Sequence, residues 1–256
     1  MIGTPPFPAG VTALRANLQA LGLLAVFYAY LYGNALLVGS NEAKLSNPVA
    51  SVFITGGLML LVVTLLVWRD ANWRASLGVE RTPVLNAFLY GGVGVLLGYG
   101  ANIVLVGAYG LLHGGMAAQA TQKAQWASKL GDLPIVWVLP LSMFVGVWEE
   151  VVFRGFLLGR LRVAFHAVEG NPGARFATWM AVGVSGVLFG AGHGYQGLLG
   201  LIQTSAVGIA FGALTVIRKS LWPAIIAHLT IDTIGLVALK LLKPMVEELA
   251  KKGLPH

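Results

Sequence analysis

Apolar stretches long enough to cross a lipid bilayer recur along the whole chain, and short polar segments separate them. A helix needs about 20 mostly apolar residues to cross a hydrocarbon core roughly 30 Å thick. Seven stretches meet this requirement: Leu18–Val38, Pro48–Trp68, Leu85–Leu112, Leu133–Leu158, Phe176–His193, Leu198–Ile217 and Leu221–Leu242. The pattern predicts an all-α fold, a polytopic transmembrane helical bundle with seven spans. An eighth span is expected only if the tail or residues 114–130 fold back into the membrane.

The composition agrees with a membrane protein and argues against a nucleic-acid partner. Hydrophobic residues make up 57% of the chain and charged residues 11%, whereas soluble domains carry roughly a quarter charged residues. The formal net charge is +7, but the lysines and arginines lie mostly in short loops at the ends of the spans. We therefore expect membrane lipid around the chain and no bound nucleic acid. The absence of cysteine excludes thiol nucleophiles and thiolate metal sites.

A polar stretch rich in Ala and Gln, residues 114–132, divides the chain. We expect N-terminal transmembrane helices with a polar connector over residues 1–130, a second group of helices over residues 131–242 and a polar tail over residues 243–256. Most arginines fall in the second, fourth and sixth loops, which predicts a cytoplasmic N-terminus. The first eight residues are not basic and no convincing cleavage site follows them, so the first apolar segment is expected to remain as a span.

Three acids and two histidines lie deep within the predicted spans. They are Glu149, Glu150 and Asp232, together with His193 near the end of the fifth span and His228 inside the seventh. A charge at the centre of a bilayer costs several kcal/mol, so such residues are rare and usually functional. The remaining histidines fall in loops or the tail, where we expect them to be solvated: His113, His166 and His256.

A count of helical residues indicates that these side chains can meet. At about 1.5 Å per residue, Glu149, His193 and His228 lie roughly 16, 22 and 14 Å from the same membrane face. All three depths fall near the middle of a core about 30 Å thick. Side chains from three helices are therefore expected to converge on an intramembrane cavity.

Spacing along each helix assigns the side chains to faces. Glu150 and Arg154 lie four residues apart with the acid first, which is the favourable order for a helical ion pair. Glu149 lies about 100° round the same helix and is free to point elsewhere. His228 and Asp232 are also four apart and share one face. These pairs could simply hold helices together, but buried ion pairs are weak sources of stability, so we favour a functional site.

Two kinds of chemistry are open to such a site. A carboxylate shielded from bulk water can act as a general base on a water molecule, and groups on a facing helix can stabilise the oxyanion of a tetrahedral intermediate. The alternative is a zinc site with Glu149, His193 and His228 as ligands. Because the chain contains no His-Glu-x-x-His sequence, we favour a reaction that requires no cofactor and keep zinc as the alternative.

Three motifs resemble those of one family of membrane proteases. Residues Glu149-Glu150-Val-Val-Phe-Arg154-Gly155 resemble the EExxxRG motif of the CPBP family, the CAAX proteases of the Ras-converting type and bacteriocin-processing enzymes. Residues Phe189-Gly-Ala-Gly-His193 resemble its FxxxH motif, and residues 228–232 resemble its HxxxN or HxxxD motif. The motifs occur in the expected order between about Leu133 and Leu239.

The resemblance implies a glutamate-type intramembrane endopeptidase with residues 131–242 as its catalytic helical core. The implied roles are water activation by Glu149 and His193, oxyanion stabilisation by His228 and Asp232, and support by Glu150, Arg154 and Phe189. The best-known prenyl-protein members have Asn at the position of Asp232. Because an ionised Asp cannot donate a hydrogen bond, we expect Asp232 to be protonated, to orient His228 or to bind a cation.

Three other interpretations stay open. Residues Gly183-Val-Ser185-Gly186 resemble the GxSG serine loop of rhomboid proteases, with His228 as the base, although that interpretation leaves the glutamates unexplained. A transporter could use the same buried acids, but we find no internal repeat of the kind that transporters contain. A non-enzymatic immunity or scaffold protein could retain the motifs for packing.

We therefore predict an endopeptidase that cleaves a peptide bond in a membrane-associated peptide or protein, with prenylated CAAX proteins as one substrate class. The expected location is the cell membrane if the host is a prokaryote and the endoplasmic reticulum if it is a eukaryote. The sequence leaves the host, the substrate and the oligomeric state open.

Overall fold

The computed structural model describes residues 11–37, 48–70, 72–113, 132–166 and 172–251. Within these ranges all regular structure is helical. We number the helices as α1 Ala13–Leu37, α2 Pro48–Val67, α3 Trp73–Ser76, α4 Val84–His113, α5 Ile135–Ala164, α6 Ala174–Ala191, α7 Gly197–Arg218 and α8 Trp222–Lys251. A 3₁₀ turn, Gly194–Gln196, connects α6 to α7.

Every helix except the single turn α3 is long and apolar enough to cross a membrane, which gives seven candidate spans among the described residues. This finding confirms the predicted multi-pass helical bundle, because a chain in lipid must satisfy its backbone hydrogen bonds within each spanning segment. Residues 243–251 continue α8 without a break, so this part of the tail does not form an eighth span. The whole 114–130 stretch, with its possible fold-back, lies outside the described residues.

Helix α5 lies at the centre of the bundle and contacts α1, α2, α6, α7 and α8. Its middle section is the most deeply packed part of the chain, since Val152, Phe156 and Leu157 are completely buried. Helix α4, by contrast, packs only one side against α7 and α8. The other side of α4 exposes large apolar side chains, as a lipid-facing helix must.

Glycines allow α8 to approach its neighbours closely. On α4, added Cβ atoms at Gly91, Gly94 and Gly98 would meet side chains of α8 at 2.7 Å, whereas Gly92 and Gly100 face open space. One face of α4 thus uses glycines for close packing against α8. On α5, a Cβ at Gly146 would lie 3.1 Å from the backbone nitrogen of Leu229. The backbones of α5 and α8 are thus almost in contact one turn before the two glutamates.

We expect Gly146→Ala to destabilise the protein, because the added methyl group meets α8 backbone that cannot move aside as a flexible side chain would. Overpacking of this kind costs about 1–3 kcal/mol. The free energy of unfolding, measured in detergent micelles, tests this expectation. Gly92→Ala is the matched control, since a Cβ there meets nothing within 4 Å, and equal effects of the two substitutions would contradict the close contact.

Candidate active site

The two adjacent glutamates lie where α5 changes its hydrogen-bonding pattern. The helix is α-helical from Ile135 to Glu150 and π-helical from Val151 to Leu157, and an α-helical segment, Leu158–Ala164, follows. A π segment widens the helix and is frequently found at functional sites. The Ser185 hydroxyl on α6 donates a hydrogen bond of 3.0 Å to the carbonyl of Phe153, inside this segment. The serine that suggested a rhomboid-like interpretation thus contacts the widened backbone of α5.

Glu150 is completely buried and binds two partners with one carboxylate oxygen. Its Oε1 lies 3.0 Å from Nη1 of Arg154, so the ion pair expected from their spacing is present. The same Oε1 lies 2.7 Å from Nδ1 of His228 on α8. Sequence spacing did not predict this second contact. It follows from the close approach of α5 and α8 at Gly146.

The His228 ring faces carboxylates at both of its nitrogens. While Nδ1 contacts Glu150, Nε2 lies 3.7 Å from Oε2 of Glu149 and 3.5 Å from Oδ2 of Asp232. A lone pair on Nε2 would be repelled by two ionised carboxylates. The geometry therefore requires a proton here, either on Nε2 or on one of the two acids. The structure brings Glu149, His228 and Asp232 together, as their predicted depths and faces indicated.

Arg154 is enclosed by aromatic rings as well as by its acidic partner. Its guanidinium carbon lies 4.0 Å from the ring centre of Phe189 on α6 and 5.8 Å from that of Phe211 on α7. The ring faces supply a partial negative charge to the cation. Phe211 also lies 5.8 Å from His228, centre to centre. No motif pointed to Phe211, because its importance comes only from its neighbours.

His193 lies in the turn after α6, two residues beyond the end of the helix. Its Nδ1 is 3.0 Å from the carbonyl oxygen of Phe189, so Nδ1 carries the hydrogen and Nε2 is left to accept. The ring centre of Phe189 is 4.7 Å from His193 and 6.2 Å from His228. Phe189 therefore contacts both imidazoles. No ion-pair contact joins His193 to Glu149 in the described part of the chain, and a shared water molecule stays a prediction.

The turn that carries His193 depends on a glycine. Gly197 has a φ of 81°, in the left-handed region that favours glycine. It allows the 3₁₀ turn to lead directly into α7. Tyr195, in the same turn, lies 5.9 Å from His193 between ring centres. None of the three motifs includes Tyr195, although its position two residues after His193 could have indicated that it lies near the site.

The alternative zinc site has less geometric support. In the described ranges, no three or more His, Asp and Glu side chains are grouped so that they could hold a metal ion. Glu149 and His228 approach each other, but His193 makes its contacts with Phe189 and Tyr195. Zinc binding by this donor set stays an alternative prediction.

Comparison with known proteins identifies the region that carries these residues. Residues 131–234 match the family model described as type II CAAX prenyl endopeptidase Rce1-like. The matched region contains all seven candidate residues, Glu149 to Asp232, and confirms the resemblance drawn from the three motifs. It supports a CAAX-type intramembrane endopeptidase. Searches of the curated proteins and of the solved structures found no match to the chain.

Proposed function

We propose that the protein is an intramembrane endopeptidase that hydrolyses a peptide bond with water activated by Glu149 and His193, without a metal ion. The observation that carries the proposal is the meeting of Glu149 and Glu150 on α5 with His228 on α8, all buried within spanning helices. The family match over residues 131–234 supports the same reaction class.

Glu149 acts as the general base. It takes a proton from the water, and the resulting hydroxide adds to the scissile carbonyl carbon to form a tetrahedral oxyanion. When the intermediate collapses, the C–N bond breaks and the leaving amine takes the proton from Glu149. Nε2 of His193 orients the water as a hydrogen-bond acceptor, because its Nδ1 already donates to the Phe189 carbonyl. Positioned acid–base groups of this kind contribute about 10²–10⁴-fold to the rate.

His228 stabilises the oxyanion. With Nδ1–H held by Glu150, its ring orientation is fixed, and a proton on Nε2 can point to the developing negative charge. Asp232 holds the ring through Nε2 in the resting state and gives way to the oxyanion when the substrate binds. Of the options for Asp232, orientation of His228 agrees best with their distance of 3.5 Å.

The substrate is a peptide attached to the membrane, and prenylated CAAX proteins form one class that suits a site at this depth. Asp232 has 30% of its side chain exposed, more than Glu149 or His228. We place the opening of the site on the Asp232 side for that reason. The arginine-rich loops favour an N-terminus on the cytoplasmic side of a cell membrane or of the endoplasmic reticulum.

Glu149→Gln is expected to lower cleavage of a quenched prenylated peptide by at least about 100-fold, because the amide cannot accept the proton of the water. Turnover is measured in nanodiscs with protein whose thermal unfolding matches the wild type. Asp132→Asn is the control, since this acid is exposed at the far end of α5.

Unchanged turnover in Glu149→Gln would contradict the proposal and favour a transporter or scaffold protein.

Ser185→Ala tests whether the protein is a serine protease of the rhomboid type. It is expected to keep its activity while losing about 1–3 kcal/mol of stability, because the Phe153 carbonyl is left without its buried donor. Complete loss of cleavage in a folded Ser185→Ala variant would favour the serine interpretation instead.

Activity is expected to persist after prolonged treatment with a strong chelator. The physical reason is that Glu149, His193 and His228 are not grouped as metal ligands. Peptide turnover after chelation, with elemental analysis of the same sample, provides the measurement. Loss of activity that added zinc restores would overturn the metal-free reaction and favour the zinc alternative.

Asp232→Asn is expected to retain activity within about tenfold of the wild type. The amide oxygen can still accept from His228, and a neutral hydrogen bond is roughly half as strong as a charged one. Asp232→Ala removes the acceptor and is expected to lower kcat by about 100-fold with little change in KM. Equal losses in the two variants would show that Asp232 acts through its charge and not by orienting the ring.

A further inference from the structure

A polar cavity of about 220 Å³ lies away from the glutamates, at one end of the bundle. It forms where α4 and α8 begin and where α7 ends, and its lining includes Arg81, Arg218 and Lys219. The spans themselves begin at Val84 and Trp222 and end at Arg218. The cavity therefore lies at the level where the hydrocarbon core gives way to the lipid headgroups.

The cavity has an excess of positive charge. Three cations line it, against one acid, Glu80. In the part of the chain that the structure describes, none of the three cations forms an ion pair. The guanidinium of Arg218 stacks on Tyr90, with its carbon 3.5 Å from the ring centre. Stacking fixes the position of the guanidinium plane but leaves its N–H groups available for an anion.

Two helix N-termini add to this charge. Both α4 and α8 are 30 residues long, and their first turns border the cavity, so the positive ends of both helix dipoles favour an anion there. The Trp222 N–H of α8 already donates to the Ser220 hydroxyl, so the free N–H groups come mainly from α4. The loops are held in place by short contacts. Thr82 and Ser220 share a hydrogen bond of 2.8 Å, and the indole of Trp222 donates to the Glu80 carbonyl at 3.1 Å. These two hydrogen bonds fix the loop before α4 against the start of α8.

The surroundings of the cavity are apolar on the membrane side. The first turns of α4 expose Leu85, Phe88 and Leu89, each by more than half of its surface. Trp222 is also exposed beside the cavity, and Trp and Tyr are typical of the interface between lipid and water. A ligand that fits both the basic cavity and the exposed apolar face of α4 has an anionic head group and apolar chains.

We propose that this cavity binds the phosphate headgroup of an anionic glycerophospholipid, whose acyl chains lie along the exposed face of α4. Arg218 and Lys219 contact the phosphate oxygens, and Arg81 closes the site from the α4 side. Basic pockets between transmembrane helices bind lipid headgroups in this way. The inference does not depend on the proposed proteolytic activity.

The test uses the full-length chain in a neutral detergent, titrated with phosphatidylglycerol and, separately, with phosphatidylcholine. Native mass spectrometry counts the bound lipid. We expect the triple variant Arg81→Gln, Arg218→Gln, Lys219→Gln to bind phosphatidylglycerol at least about tenfold more weakly than the wild type, because each basic residue contributes to attraction of an anionic lipid. Binding of phosphatidylcholine should change less than threefold.

A matched triple variant controls for general surface charge. Arg69→Gln, Arg74→Gln and Arg175→Gln together remove the same charge from exposed positions on this side that do not line the cavity. An equal loss of lipid binding in both triple variants would overturn the proposal, because a simple surface attraction would then account for it. The thermal stability of the protein is also measured with inorganic phosphate. Stabilisation by inorganic phosphate equal to that by phosphatidylglycerol would overturn the assignment to a lipid.

Glu80→Gln keeps the proposal testable if the triple variant fails to fold. This single change removes the one acid of the cavity lining and adds no bulk. It is expected to strengthen phosphatidylglycerol binding severalfold, because the repulsion between the carboxylate and the lipid phosphate disappears. Unchanged or weaker binding would contradict a lipid phosphate in this cavity.

Discussion

The arrangement of the site depends on one buried carboxylate that needs positive partners. Glu150 is completely buried, and its Oε1 binds both Arg154 and His228. Arg154 supplies the permanent positive charge beside this carboxylate, and removing one member of a buried ion pair typically costs about 3–5 kcal/mol. Arg154 in turn lies on the ring of Phe189, whose carbonyl binds His193. The contacts of Glu150, together with the contact between Arg154 and Phe189, thus connect α5, α6 and α8.

The neighbouring carboxylate differs because it lacks such a dedicated partner. Glu149 makes one longer contact, 3.7 Å to Nε2 of His228, and it is the carboxylate that the proposed mechanism uses as the base. The two adjacent glutamates therefore have different roles in the proposed mechanism. Glu150 fixes the imidazole, and this leaves Glu149 beside a ring whose orientation is already set.

Much of the fold could be predicted from the sequence, because a bilayer restricts a polytopic chain to apolar helices of a minimum length. The observed contact between Glu149 and His228 agrees with the similar depths expected from the same count. The contact between Glu150 and His228 could not be predicted, since it depends on how α8 is rotated against α5 at Gly146. The basic cavity could not be predicted either, because Arg218 and Lys219 resemble ordinary positive-inside residues at the end of a span.

The π-helical segment, Val151–Leu157, has a consequence for the whole of α5. Each π turn contains more residues than an α turn, so the helix after Leu157 is out of phase with the helix before Glu150. A single helical wheel drawn through α5 assigns the wrong neighbours to one of its halves. The first half can therefore present carboxylates to α8 while the second half turns Arg160 into the protein interior, where that residue is almost completely buried. One continuous helix thus provides two independently oriented faces.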